Sequence, residues 1–96
     1  MENQILLCNL FDYYSELLTD KQKQYFKDYY FDNLSLSELS ENYDVSRNAI
    51  HKTLKDAEEK LFYYEEKLRL LEKNKKIKKI ISKLDDNLKN EILDLI

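Results

Sequence analysis

Within Leu34–Leu61, LSLSELSENYDVSRNAIHKTLKDAEEKL, two helix-start signals follow one another closely. Ser35 and Glu38 make an S-x-x-E capping box, in which each side chain accepts the other residue's backbone N–H and a helix opens at Leu36. Ser46 is a second N-cap, opening a helix that carries Ile50, Leu54, Ala57 and Leu61 inward. Leu36, Leu39 and Tyr43 share one face of the first helix, and Val45 sits in the short turn between the two. Capped helices with apolar anchors in both and in the turn pack crosswise, which lets the second enter a nucleic-acid groove. This predicts a helix-turn-helix over about 35–61. Ser40 and Asp44 stand where DNA-binding versions usually carry Ala, for close helix approach, and Gly, for positive φ. Ser is nearly as small as Ala, and Asp tolerates the left-handed region, so the motif survives both changes. The same pattern also suits a small core that docks another protein.

The 96 residues include neither Gly nor Pro, the usual punctuation of hairpins and tight loops. The predicted fold is therefore all-α: a single domain over 1–96, a helix-turn-helix bundle with a long helix after the turn and a C-terminal helix. Cys8 is the one cysteine, so no intramolecular disulfide can form, and its apolar neighbours mark it as a small core side chain. No run is long enough to span a membrane and the N-terminus is acidic, so no membrane insertion and a cytoplasmic location are expected.

Residues 2–18 form a first helix with Ile5/Leu6, Leu10, Tyr13/Tyr14 and Leu17/Leu18 on its stripe. Thr19 and Gln22 make another capping box, and a helix follows to about Phe31 with Tyr25, Phe26, Tyr29 and Tyr30 inward. From Ile50 the apolar positions 50, 54, 57, 61, 64, 68 and 71 keep a heptad seam, predicting one unbroken helix over about 47–73. Asn74 is read as its C-cap. A last helix over about 75–95 carries Ile77, Ile80/Ile81, Leu84, Leu88, Ile92 and Leu95 on one side, and Asp85-Asp86-Asn87 could break it in the middle. Three heptads expose more apolar surface than the first helix can cover, so a homodimer is expected unless the C-terminal helix folds back over the seam.

Little in the sequence suggests chemistry. His51 is the one histidine, so neither a His/Cys metal cluster nor a nucleophile with a His base is expected, and no cofactor is implied. Without glycine there is no phosphate-cradling loop. The acidic pairs Glu58/Glu59, Glu65/Glu66 and Asp85/Asp86 read as surface charges beside lysines, and the chain is read as non-enzymatic. Charge is divided unevenly. Residues 1–45 hold nine acids and three lysines (−6), and residues 46–96 hold thirteen bases and ten acids (+3), which sums to the net −3. Arg47, Asn48, His51, Lys52 and Lys55 point outward from the second motif helix, where Arg and Lys meet phosphates or guanine and Asn reads adenine. Lys75, Lys76, Lys78 and Lys79, within an acid-free run Lys73–Lys83, are a second phosphate-contact surface. Tyr63 falls outside the seam, where base stacking or a partner contact is possible.

Residues 10–68 resemble the YlxM family, small bacterial DNA-binding proteins linked to the signal recognition particle, whose helix-turn-helix is similar to region 4 of sigma factors. The resemblance rests on LFDYY at 10–14, LLTDKQ at 17–22 and VSRNAI at 45–50, taken together. It implies a cytoplasmic regulator in protein targeting, with DNA or the signal-recognition RNA as nucleic-acid partner and the particle's proteins as further partners. The contact residues it implies are Arg47, Asn48 and His51. The alternative is a protein-interaction module that modulates the targeting machinery without touching nucleic acid.

Overall fold

The computed structural model describes residues 2–96, all in helices and their connections, with no strand among them. Helix α1 (Glu2–Tyr14) tightens into a 3₁₀ turn at Ser15–Leu17, and Leu18 and Thr19 are extended. The Thr19 box forms as predicted: Gln22 N–H donates to Thr19 Oγ1 at 3.1 Å and Thr19 N–H to Gln22 Oε1 at 3.0 Å. It starts α2 (Asp20–Phe26), whose chain then widens into a π-turn at Lys27–Phe31. Asn33, at φ 58°, stops that turn, and Leu34 N–H closes back on the Asp28 carbonyl.

The motif helices α3 (Leu36–Tyr43) and α4 (Arg47–Leu68) begin at Ser35 and Ser46, each with its side chain accepting the backbone N–H three residues on. Asp44 between them is left-handed at φ 53°. Ser40 does more than stay small: its hydroxyl donates to the Val45 carbonyl at 2.5 Å and ties the turn to α3. Ile50, Leu54, Ala57 and Leu61 are all buried, as the spacing predicts. Full burial of a Leu or Ile is worth roughly 1.5–3 kcal/mol, against about 1 kcal/mol for an N-cap. Packing thus decides that α4 forms, and Ser46 decides where it starts.

Two core clusters share α4. Tyr25, Leu39, Ile50 and Leu54 hold the motif together. Leu7, Leu10, Phe11, Tyr14, Leu18, Phe26, Ala57, Leu61 and Leu71 join α1 to the C-terminal half of α4, with Phe11 stacked on Phe26 at 4.6 Å. Cys8 is half-buried, and burial pushes its thiol upward in pKa, helped by the nearby Asp12 charge.

The C-terminal third departs from expectation in three places. The long helix ends at Leu68 rather than near Lys73, because Arg69 is left-handed at φ 55°. Glu65 makes the corner: its carboxylate accepts the N–H groups of Leu71 (3.2 Å) and Glu72 (3.1 Å) at the start of α5 (Leu70–Ile81), and the Tyr14 hydroxyl (2.6 Å). Asn74 is not a C-cap but lies inside α5, donating to the Tyr13 hydroxyl. The helix expected over 75–95 starts earlier, at Leu70, and is two pieces, α5 and α6 (Asp86–Leu93), parted next to the Asp85-Asp86-Asn87 break read from the sequence, where Asp85 caps the second through Leu88 N–H. The heptad seam is accordingly divided. Leu71 returns to the core from α5 while Leu68 is exposed.

Candidate nucleic-acid interface

The site is built on the first turns of α4. Arg47, Asn48, His51, Lys52 and Lys55 are all exposed. At 3.6 residues per turn they fall within an arc of about 140°, distinct from the arc that buries Ile50, Leu54, Ala57 and Leu61. Asp56 is the one acid between Arg47 and Ala57, so these turns present positive charge, hydrogen-bond donors and a helix N-terminus together. Lys76 is held by Glu72 at 3.1 Å, while Lys75, Lys78 and Lys79 stand exposed on α5. They lie on a separate helix, α5, which begins at the Arg69 corner, about 20 Å along the α4 axis from Lys55.

Beside the apolar core, a polar network that the sequence does not announce fastens α2 and the π-turn to both motif helices. Asp28, buried on the π-turn, accepts from Gln24 Nε2 at 2.9 Å and from the Tyr43 hydroxyl. The bond to Asp28, together with burial, pushes the Tyr43 hydroxyl up to about 12. Tyr43 also stacks obliquely on Tyr25, so α3 is fastened to α2 by a ring and a hydroxyl. On the other side, Lys60 donates to Gln22 Oε1 at 3.2 Å. Tyr30 donates to Glu58 at 2.7 Å, and burial and that bond raise its pKa.

These contacts correct the reading of the acidic pairs. Glu58, Glu65 and Asp85 each accept specific hydrogen bonds, from Tyr30, from the α5 N-terminus with Tyr14, and from Leu88 N–H. None is merely a surface partner of a lysine. The tyrosines that bond Glu58 and Glu65 lie 28 and 51 residues away in sequence, so no local pattern reveals them. Tyr63 is 55% exposed, as its place outside the seam suggests, with Lys67 Nζ 5.7 Å from its ring centre.

Among the described residues, no three His, Cys, Asp or Glu side chains gather as a metal site would need, and no helix is long and apolar enough to cross a membrane. Residues 1–95 match the family model UPF0122, described as "Putative helix-turn-helix protein, YlxM / p13 like". A UPF0122 protein of Listeria welshimeri is 49% identical over 86 residues, covering 88% of this chain and 78% of the relative. One from Bacillus cereus is 45% identical over 91 residues (95% and 83%). Another, from Caldanaerobacter subterraneus, is 44% identical over 87 residues (90% and 74%).

Proposed function

The chain belongs to the UPF0122 family of YlxM/p13-like helix-turn-helix proteins, and from that premise we propose that it is a non-enzymatic nucleic-acid-binding regulator. The observation that carries this reading is the exposed, nearly acid-free face of Arg47, Asn48, His51, Lys52 and Lys55 on the helix that follows the left-handed Asp44 turn. Arg47 and Asn48 reach base edges, Lys52 and Lys55 meet phosphates, and the α5 lysines add sequence-independent attraction. The resemblance to the YlxM family supports a cytoplasmic role alongside the signal recognition particle, with DNA or its RNA as ligand. The seam that led to the expectation of a homodimer is mostly covered within one chain, at Ile50, Leu54, Ala57, Leu61 and Leu71, so a second copy would instead meet the exposed apolar side chains Ile80, Leu84, Leu88 and Leu95.

The test is binding of the whole chain to duplex DNA and to signal-recognition RNA at low salt, where electrostatic attraction is strongest. Arg47→Ala is expected to relax sequence preference at a cost of roughly 1–3 kcal/mol, with circular dichroism unchanged because the side chain is exposed. If wild type binds neither nucleic acid, the second reading takes over: a module that docks on the targeting machinery through the same face. The acidic half, residues 1–45 at −6, favours that reading because it repels a polyanion.

A further inference from the structure

One turn beyond Lys55, the same helix lines a groove of about 490 Å³ between α1, the π-turn and α4. Tyr29 and Phe62 give its wall two rings, and the amides of Asn3, Gln4 and Asn33 stand there with the Glu58 carboxylate. Phe62 is 42% exposed and serves no core, although a Phe normally buries its ring. Glu58 is fixed by the Tyr30 hydroxyl on Oε1, which leaves Oε2 and the second lone pair of Oε1 to accept from something else. No cation lines the groove, so it offers nothing to a free phosphate. Flat rings beside an oriented carboxylate suit a planar group that stacks and donates N–H bonds.

Resting on the nucleic-acid reading above, we propose that this groove takes an unpaired nucleobase, guanine first, from the strand whose phosphates lie on Lys52 and Lys55. Guanine is the base with two adjacent N–H donors on its pairing edge, N1–H and the N2 amino group, and a carboxylate accepts both. Phe62 and Tyr29 supply stacking faces. Glu58 lies three residues past Lys55, about 5 Å along the helix. The ligand is then a bulged or looped strand rather than a perfectly paired duplex.

The experiment compares the full chain binding three DNA duplexes of the same flanking sequence: fully paired, with one bulged guanine, and with one bulged adenine. Wild type is expected to bind the guanine bulge at least about fivefold more tightly than the paired duplex, as loss of one stacked base implies. Phe62→Ala should abolish that margin while leaving paired binding and circular dichroism unchanged. Glu58→Gln should shift the preference from guanine toward adenine, because an amide matches adenine's donor–acceptor edge. A merely structural Glu58 would not produce that shift. Equal binding of all three duplexes by wild type overturns the groove proposal and leaves the helix-turn-helix reading standing. Binding of none overturns both.

Discussion

At Asp44 the backbone takes φ 53°, a conformation that costs an ordinary L-residue roughly 1–2 kcal/mol and glycine almost nothing. Asp is among the side chains that tolerate it best, which is how a chain without glycine still makes this turn. Stability is expected to rank Asp44→Gly at or above wild type and Asp44→Ala about 1 kcal/mol below Asp44→Gly, read from urea unfolding. Equal stability of the Gly and Ala variants would show that the turn does not impose this angle. Ser40 illustrates what a pattern can and cannot disclose. Its small size was legible, but its hydroxyl bond to the Val45 carbonyl was not, because the acceptor is created by the turn itself.

Element by element, the caps and apolar spacings were the legible part. Thr19, Ser35 and Ser46 start helices where their side chains predict, because a cap is a bond to a neighbour three residues away. The break at Arg69 was not legible, since Glu65 and Tyr14 stabilise it from 4 and 55 residues away and no Gly or Pro marks it. Past the break only part of the seam persists: Leu71 reaches the same core from the next helix while Leu68 is exposed. The π-turn at Lys27–Phe31 and the buried Asp28 it carries have no sequence signal either. The corner makes a pH prediction. Burial, then the bond to Glu65, raises the Tyr14 hydroxyl to about 12 from its usual 10. A pKa raised by folding stabilises the native state fully below pH 10, and that contribution is lost as pH climbs from 10 to about 12. Tyr14→Phe should lower stability at neutral pH by about 1 kcal/mol, the net worth of a hydrogen bond, and lose less between those limits. Wild type and variant falling in parallel on the alkaline side would exclude Tyr14 as the titrating group.

Over the whole molecule, the structure sets two basic surfaces apart: the first turns of α4 and the lysines of α5, separated by the Arg69 corner. The sequence indicated both patches but not their separation, which depends on where α4 ends. On the proposed nucleic-acid reading, α4 reads the sequence and the α5 lysines anchor the backbone, with the acidic N-terminal half steering a polyanion toward these surfaces. The most direct test of the α4 face is the salt dependence of duplex binding by wild type, Lys52→Ala and the quadruple Lys75/Lys76/Lys78/Lys79→Ala variant. Lys52→Ala is expected to reduce the slope of log K against log salt by about one. The quadruple variant should weaken all sequences alike and keep the wild-type preference. A slope unchanged by Lys52→Ala, with sequence preference lost only in the quadruple variant, would contradict the assignment of reading to α4.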